Sequence, residues 1–412
     1  MGGMQPERFD IVISGAGFAG VALALALRQA ADDALTVAVL DRAKPGAATA
    51  DLRAFAISAG SVHLLQTLGI WPLIESEAQP VTAINITGGK LESPIRQTLL
   101  SYDNHTEFGE PASYIVPAAR LRDALMVTAQ AAGLVIIPET VPSQLTVTTA
   151  GIEIVCAGGQ TFSAQLGVAS DGRRSSLRDL AGIKTVGWTY PQTAIITTVA
   201  HSEPHNGVAT QHFLEAGPFA ILPLTGGHRS SLVWTEATAE AIRVMALNDA
   251  DFLAALEQRF GGILGTLHLD GPRAAQPLDM HLSRSLASER VAVIGDAARG
   301  VHPIAGQGLN LALRDVAALT ETIIDTARLG LDIGAPEAMH RYERWRRFDG
   351  AMSAAAMDGL NRLFSNDNPA LRAAREAGLG LTDRLPGLKN FFVAEAAGLT
   401  GAVPKLLAGE LP

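Results

Sequence analysis

Cysteine is almost absent from this sequence. The single residue, Cys156, excludes an internal disulfide bond and is compatible with a reducing compartment. Basic residues are also in the minority, with 32 Lys and Arg against 41 Asp and Glu and a formal net charge of −9. Because nucleic-acid-binding surfaces are basic, we expect no nucleic-acid partner.

Long apolar runs are missing as well. No stretch reaches the ~18 uninterrupted apolar residues of a membrane span, and the best candidate, 21–40, is interrupted by Arg28, Asp32 and Asp33. Residues 1–8 are short and polar, so no signal peptide is predicted. Pro6 stands where a myristoylation signal needs Ser or Thr. We therefore expect a cytoplasmic protein.

Several catalytic motifs are absent too. The chain has no Walker A, G-x-S-x-G or C-x-x-C sequence, which argues against an NTPase, a serine hydrolase or a dithiol enzyme. His201 and His205 are four residues apart, but Pro204 between them argues against a helical metal pair. We predict no metal site. The 412 residues, 48% of them hydrophobic, exclude disorder and allow two domains or one large interleaved fold.

A dinucleotide-binding pattern opens the chain. An apolar strand at 9–14 leads into Gly15-x-Gly17-x-x-Gly20, a helix follows over 21–29, and a second strand at 35–40 ends at Asp41. In such a βαβ unit the glycines serve, in turn, the tight bend, the close approach of a pyrophosphate and the helix–strand packing. Asp41 would accept hydrogen bonds from an adenosine ribose. The motif alone does not distinguish FAD from NAD.

Residues 290–315 carry a second ligand-binding pattern. The apolar run 291–294 predicts a buried strand that ends at Gly295 and Asp296, and a loop with Pro303 and Gly306 leads to a helix from Leu309. Open α/β sheets bind ligands at the carboxyl ends of such strands. The loop glycines and the helix amino terminus favour an electron-rich ligand. The alternative is a tight corner that needs glycine for its shape alone.

Two shorter segments have alternative interpretations. In 51–58, Arg53 could reach a pyrophosphate, or Asp51 and Arg53 could form a surface pair that stiffens a loop. In 170–178, Asp171-Gly172 predicts a turn after a strand. The arginines that follow it could hold a pyrophosphate or a visiting nicotinamide nucleotide, or Asp171 could simply cap the next helix.

The remaining chain predicts sheets followed by helices. Alternating runs in 81–117 and 190–235 favour antiparallel strands with one face free to line a pocket, and the chain beyond 316 has helical spacing. The tail 386–411 mixes Phe391, Phe392 and Val393 with Lys389 and Lys405. It could rest on a membrane surface or a partner, or close the core. We favour the core.

The chain resembles the single-component FAD-dependent aromatic hydroxylases, the p-hydroxybenzoate hydroxylase-like flavoprotein monooxygenases. The resemblance lies in the order and spacing of three segments: 15–20 with Asp41, 170–178 and 295–315. Four further segments look like the ubiquinone-biosynthesis branch of this family, the polyprenylphenol hydroxylases. They are 51–58, 217–224, 302–310 and the tail from 398 to 407. The resemblance covers essentially the whole chain, and 302–310 is its most specific part.

The resemblance implies a set of FAD-binding residues on these segments. They are Gly15, Gly17, Ala19, Gly20, Asp41, Arg42, Arg53, Asp171, Gly172, Gly295, Asp296, Pro303, Gly306, Gly308, Leu309 and Asn310. Among them, Asp296 would hold the ribityl chain and the run 308–310 would face the pyrimidine edge of the flavin. Asp171-Gly172 matches a segment that serves both FAD and NADPH.

The resemblance gives no catalytic base. The candidates for residues that face flavin and substrate are His302 and Pro303, whose backbone would border the isoalloxazine ring. Ala118 stands where relatives often have a polar or basic residue that helps to hold FAD, and Arg120 is a candidate substitute.

The implied activity is hydroxylation of the aromatic ring of a polyprenylated phenol in ubiquinone biosynthesis, with O2 and a C4a-hydroperoxyflavin. NADPH or NADH would visit transiently, because no second nucleotide-binding βαβ unit is predicted. The alternatives are a flavin reductase or dehydrogenase on the same scaffold, and a flavin-bearing non-catalytic subunit of a quinone-biosynthesis complex. Other ubiquinone-biosynthesis proteins and peripheral contact with the inner membrane are expected partners.

The implied fold class is α/β. A Rossmann-like FAD-binding domain, discontinuous over 1–80, 115–185 and 282–350, is expected to interleave with a smaller antiparallel-sheet substrate domain over 81–114 and 186–281. A C-terminal helical region would span 351–412.

Overall fold

A buried parallel sheet lies at the centre of the computed structural model, which describes residues 6–44, 51–89, 91, 96–303, 306–364, 393–394 and 397–412. The strands are β1 (Glu7–Arg8), β2 (Ile11–Ser14), β3 (Val37–Leu40), β4 (Ala54–Ser58), β5 (Gln79–Pro80), β6 (Ala83–Gly88), β7 (Gln97–Asp103), β8 (Ser113–Pro117), β9 (Val135–Ile137), β10 (Pro142–Val147), β11 (Ile152–Cys156), β12 (Thr161–Ala164), β13 (Leu166–Ala169), β14 (Thr185–His201), β15 (Val208–Leu214), β16 (Gly217–Leu224), β17 (Arg229–Ala237), β18 (Leu267–Leu269), β19 (Ala274–Ser283), β20 (Ala287–Ser288), β21 (Val291–Val293) and β22 (Arg299–Gly300). The helices are α1 (Phe18–Ala30), α2 (Ala59–Thr67), α3 (Ala118–Ala131), α4 (Ser176–Leu180), α5 (Thr238–Met245), α6 (Asp249–Phe260), α7 (Gly295–Ala298), α8 (Gly308–Arg328) and α9 (Pro336–Phe364).

The central sheet has the strand order β20-β21-β13-β2-β3-β9. Its strands run parallel except for β20, and every residue of β2, β3, β13 and β21 is buried. Near-continuous apolar strands of this kind are typical of a parallel sheet covered on both faces. The predicted α/β fold class is confirmed, and the predicted strands around 9–14, 35–40, 166–169 and 291–294 are all present in this sheet.

A second, antiparallel sheet covers the carboxyl edge of the first. Its order is β22-β19-β14-β17-β16-β15-β6-β7, with β15 and β6 the parallel pair and β18 beside β14. One face packs on α5 and α6 around Phe219, Trp234 and Phe252. The sheet takes strands from 83–103 and 185–283, and residues 299–300 join it as β22, although the predicted division assigns them to the FAD-binding domain. The domain boundaries themselves stay a prediction.

The helices after residue 308 brace the central sheet, as the helical spacing beyond 316 predicts. The Tyr342 hydroxyl on α9 donates to the carbonyl of Val293 at the end of β21, at 2.9 Å. Near the end of the chain, Leu406 and Leu407 are buried, and His63 on α2 contacts the Leu407 carbonyl. This part of the tail packs on the core, which is the interpretation we favoured over a membrane or partner surface. Residues 365–392, which include Lys389, Phe391 and Phe392, lie outside the described residues. No described helix is both long and apolar enough to cross a bilayer.

A buried ion cluster joins α7, α8 and α9. The Asp315 carboxylate is 0% exposed and accepts hydrogen bonds from Arg299 Nη1 at 2.9 and 3.0 Å, from Arg346 Nε at 2.9 Å and from the Gly295 N–H at 3.1 Å. Desolvation makes a buried charge costly unless it is paired and hydrogen-bonded. Asp315 therefore joins two buried guanidinium groups to the turn at Gly295.

We predict that Asp315→Asn lowers the free energy of unfolding by about 3–5 kcal/mol, because it leaves two buried guanidinium groups without their shared carboxylate. The matched control is Asp325→Asn, which removes a half-exposed partner of Arg341 and should cost less than about 1 kcal/mol. Chemical denaturation of both variants measures the difference. Equal losses in the two variants would contradict the role given to Asp315.

Candidate active site

A continuous cavity of about 1090 Å³ lies between the two sheets. Most of the predicted FAD-binding residues line it: Gly15, Gly17, Ala19, Asp41, Arg42, Arg53, Asp171, Gly172, Asp296, Pro303, Gly306, Gly308, Leu309 and Asn310. Gly20 and Gly295 do not line it and instead lie beneath its wall, in packed backbone. The fold thus brings together segments that are up to 295 residues apart in sequence.

The three glycines of the first motif have different environments. Gly15 has φ +109°, and a Cβ there would lie 2.6 Å from the Ser170 carbonyl oxygen. A Cβ at Gly20 would overlap the Gly15 carbonyl oxygen, so these two positions need glycine for the fold itself. A Cβ at Gly17 would meet nothing within 4 Å and would occupy the cavity. Only Gly17 therefore leaves space that a ligand can use, beside the amino terminus of α1.

Asp41 is held at the end of β3 by backbone donors. Its Oδ2 accepts from the Ala16 N–H at 2.9 Å and its Oδ1 from the Ala43 N–H at 2.7 Å. Each carboxylate oxygen can accept a second hydrogen bond. The group is therefore fixed in position and still able to receive ribose hydroxyls, which fits the adenosine end of FAD.

Arg53 forms the predicted pair with Asp51, while its contact with a pyrophosphate stays a prediction. Its Nε and Nη2 donate to the Asp51 carboxylate at 2.8 and 2.7 Å, and the side chain lines the cavity and lies over the Phe55 ring. Burial alone would raise the pKa of Asp51, but the hydrogen bonds and charge of Arg53, with the charge of Arg122, outweigh it and lower that pKa. The hydrogen bonds that Arg53 donates to Asp51 raise the pKa of Arg53.

Arg120 was the candidate to replace the polar residue that relatives often have at the position of Ala118, and the structure shows that it does not do so. Arg120 does not line the cavity and pairs with Glu77 at 3.4 Å on the surface. Arg122, one turn into α3, instead donates to Asp51 at 3.0 Å. Sequence reasoning missed Arg122 because its partner lies 71 residues away. Ala118 is fully buried, and its N–H donates to the Arg53 carbonyl at 2.9 Å, which fixes the chain where Arg53 enters the cavity.

In the segment 170–178, Asp171 caps the helix that follows, as one of the two interpretations predicts. The Asp171 carboxylate accepts from the Ser176 N–H at 2.8 Å and from the Ser175 hydroxyl, at the start of α4. Its carbonyl accepts from Arg42, which links the ends of β13 and β3. Gly172, at φ +85°, lines the cavity beside them. Binding of a pyrophosphate or nucleotide by this segment stays a prediction and would use its backbone.

Asp296 projects into the cavity from a buried turn. It is exposed while Gly295 and Ala297 on either side of it are buried. Its carbonyl accepts from His281 Nε2 at 2.8 Å, so strand β19 of the antiparallel sheet also holds the turn. His281 was missed by sequence reasoning; in the structure it packs on Gly300, where a Cβ would lie 2.5 Å from the His281 ring. A carboxylate presented in this way suits a polyhydroxyl chain such as ribityl.

Asn310 lines the cavity, and its side chain is bound to the protein. It accepts from the Ser58 N–H at 3.0 Å and donates to the Ala56 carbonyl at 2.8 Å. It therefore ties β4 to the amino end of α8 and is 2% exposed. The backbone of 308–310 remains at the cavity wall, and Gly306 has φ +61° beside Ala56. Residues 304–305 of the predicted motif lie outside the described residues.

His302 requires a correction. It is 1% exposed and, unlike Pro303, is absent from the cavity lining formed by the described residues. Its ring packs edge-on against Tyr190 with centroids 5.2 Å apart, and within the described chain neither ring nitrogen has a hydrogen-bond partner. Burial lowers its pKa to about 4, although the charge of Asp358 opposes the shift. A neutral, buried imidazole here is structural, and only Pro303 faces the cavity.

Beyond the polar cradle, the cavity becomes an apolar chamber. The antiparallel sheet supplies most of its wall: Ile84, Ile86, Leu100, Ala194, Ile196, Ala209, Phe213, Ala220, Leu222, Val233 and Leu278. A few polar side chains interrupt it, Tyr102, Thr210, Gln211 and Gln276. Within the described ranges, no three His, Cys, Asp or Glu side chains are grouped so that they could hold a metal ion. The chamber suits a lipophilic ligand beside the cradle.

Comparison with known proteins agrees with this geometry. A family model described as an FAD binding domain matches residues 8–347. The chain belongs to this FAD-binding family. Ubiquinone hydroxylase UbiL of Rhodospirillum rubrum is 40% identical over 411 residues, with 97% of this chain and 92% of that protein covered. The 3-demethoxyubiquinol 3-hydroxylase of Escherichia coli is 31% identical over 407 residues, with 96% and 100% covered.

These relatives confirm the predicted resemblance to the ubiquinone-biosynthesis branch and the FAD cofactor. Among solved structures, p-nitrophenol 4-monooxygenase PnpA of Pseudomonas putida shares the fold with a TM-score of 0.75 at 17% identity, covering 96% of this chain and 100% of that one. The anhydrotetracycline hydroxylase OxyS of Streptomyces rimosus has a TM-score of 0.71 at 24% identity, with 96% and 77% covered.

We predict that Gly17→Ala weakens FAD binding about 10- to 100-fold without lowering the melting temperature of the apoprotein. The new methyl group contacts no protein atom but displaces an anionic group from backbone donors, and such hydrogen bonds are worth roughly 1.5–3 kcal/mol. Gly20→Ala is the control and should lower the melting temperature, because its Cβ overlaps the Gly15 carbonyl. Flavin fluorescence titration and thermal melts separate the two effects. Wild-type FAD affinity in Gly17→Ala would contradict the cradle.

We also predict an acid-stability effect of His302. Its pKa falls from 6.5 to about 4 on folding, so the unfolded chain binds the proton first and stability is lost as the pH falls from 6.5 to 4. In His302→Phe this loss should be smaller by about 3 kcal/mol. His340→Phe, at an exposed site, is the matched control. Denaturation curves across this pH range measure the difference, and an unchanged loss in His302→Phe would refute the assignment.

Proposed function

We propose that this protein is an FAD-dependent monooxygenase that hydroxylates the aromatic ring of a polyprenylated phenol in ubiquinone biosynthesis. One observation carries the proposal: the dinucleotide cradle at 15–20, 41 and 296 opens directly into an apolar chamber. A flavin whose adenosine end lies on Asp41 would extend toward Pro303 and the amino end of α8, at the mouth of that chamber. The hydroxylases of ubiquinone biosynthesis that this chain resembles support the substrate class.

The residues of the chain bind and orient the reactants. Backbone N–H groups at Gly17 would hold the pyrophosphate, Asp41 the ribose and Asp296 the ribityl hydroxyls. When bound, FAD accepts electrons from NAD(P)H and uses them to activate O2. The amino terminus of α8, a 21-residue helix, would hold the pyrimidine edge of the flavin with its N–H groups and positive dipole end, and would stabilise negative charge there.

The chamber positions the ring and excludes water. Its wall is mostly aliphatic, so it would keep solvent away from the reacting groups and suppress side reactions that need water. Burial raises the pKa of Tyr102, which therefore stays neutral and does not serve as a base near pH 7. We assign no catalytic base, because an electron-rich phenol needs only orientation toward the activated oxygen.

The electron donor is proposed to be NADPH or NADH, bound transiently. A second nucleotide-binding βαβ unit is absent from the described chain, and the backbone at Asp171-Gly172 lies open at the cavity. We further propose that the enzyme works with other ubiquinone-biosynthesis proteins at the surface of the inner membrane, because its substrate is lipophilic.

The decisive experiment supplies the FAD-loaded protein with NADPH or NADH, a short-chain prenylated phenol and ¹⁸O2, and analyses the product by mass spectrometry. We expect one ¹⁸O atom on the aromatic ring and faster flavin reduction when the phenol is present. A saturated prenyl chain without ¹⁸O would identify a reductase instead. FAD bound without turnover, while product formation by partner proteins is restored, would identify a non-catalytic subunit. Either of these results would contradict the proposal.

A further inference from the structure

An uncharged face follows the exposed side of α9. It is formed by Phe348, Ala351, Met352, Ala355, Ala356 and Gly359, which are all exposed and recur at helical spacing. Phe348 is 76% exposed and Met352 is 55% exposed. The face extends over the twelve residues from Phe348 to Gly359, about 18 Å of helix, and none of its six side chains is charged. Exposed apolar faces of this length mark interaction sites more often than free surface.

Basic residues border this α9 face at both ends. Arg344 and Arg347 are exposed in the turn before Phe348. Arg362 follows Gly359 and lies over the ring of Trp188, 5.2 Å from its centroid. Trp188 is itself 41% exposed, so the start of β14 extends the apolar surface.

Further cations adjoin the same surface. Lys184 immediately precedes β14 and Arg284 immediately follows β19, joined by a backbone hydrogen bond of 2.8 Å, and both are exposed. Together with Arg344, Arg347 and Arg362, these make five cations against three neighbouring acids, Glu343, Asp349 and Asp358. Glu343 accepts from the Ser285 hydroxyl and the Leu286 N–H, and Asp358 accepts from the Tyr190 hydroxyl and Arg362. On a chain with a net charge of −9, this region is thus locally basic.

The helix also leads to the active site. Leu363, at the carboxyl end of α9, lines the cavity with Val301 and Phe213. Asn361 donates to Gln192 at 3.1 Å, which fixes this end of α9 on the antiparallel sheet. A surface that binds the α9 face would therefore lie next to the wall of the apolar chamber.

We propose that the α9 face docks on a membrane that contains anionic phospholipids. The helix lies in the interface plane, with Phe348, Met352 and Trp188 at the acyl boundary and Arg344 and Arg347 on lipid phosphates. Amphipathic helices with aromatic and basic residues in this arrangement bind membranes in this way. The biological purpose rests on the proposed function, delivery of a lipophilic substrate, but the binding itself does not require turnover.

The test is flotation of the FAD-loaded protein with vesicles of phosphatidylcholine, alone or mixed with phosphatidylglycerol. We expect binding to the mixed vesicles that weakens with added salt. Arg347→Gln with Phe348→Ser should reduce partitioning at least tenfold, since one basic residue near an anionic surface contributes about fivefold and the buried ring adds to it. The matched control is Ile242→Ser with Arg243→Gln on α5, another exposed pair of one apolar and one basic residue.

Several outcomes would overturn the docking proposal. These are equal partitioning of both double variants, equal binding to neutral and mixed vesicles, or no binding at all. A dimer in solution that only the α9 variant dissociates would assign the face to a second copy of the chain. Turnover of a water-soluble phenol by each variant is measured separately. Vesicle binding without hydroxylation would refute the proposed function alone, and hydroxylation without vesicle binding would refute this inference alone.

Discussion

The parallel arrangement of β2, β3, β13 and β21 is the constraint on which the site depends. Parallel neighbours must end at the same edge of a sheet, so residues that follow these strands converge although they are far apart in sequence. Asp41, Asp171 and Asp296 reach that edge in this way. The antiparallel sheet then covers the edge and supplies the opposite wall of the cavity.

The edge is kept in place by contacts that never touch a ligand. Asp315 holds the N–H of Gly295 from below, and His281 holds the carbonyl of Asp296 from the antiparallel sheet. Asn310 fixes β4 against α8 in the same manner, through backbone groups. These side chains act as positioning residues: they orient backbone and carboxylate groups so that binding needs little rearrangement.

Helix α9 connects the two halves of the molecule. Its first half contacts β21 through Tyr342 and the Asp315 cluster through Arg346, and its last turns contact the antiparallel sheet through Asp358 and Asn361. Helix α9 therefore helps to fix the two sheets on either side of the cavity. The exposed side of that helix is the same α9 face that we assign to a membrane surface.

Sequence reasoning succeeded where local pattern determines structure. The strands and turns around Gly15, Asp41 and Gly295 follow from apolar runs and glycine spacing, and the family resemblance supplied the cofactor. It failed where the direction of a side chain depends on distant packing. Motif position placed His302 at the flavin, yet its packing against Tyr190 buries the ring away from the cavity. Arg122 and His281 gave no local signal because their partners lie on other elements.

The central claim is that the cradle and the apolar chamber form a single site, and a crystal structure with bound FAD tests it most directly. The account predicts the pyrophosphate beside the Gly17 N–H, the adenosine ribose on Asp41, and the flavin ring near Pro303 and the amino end of α8, facing the chamber. A flavin that points away from the chamber, or a dinucleotide bound elsewhere, would contradict it.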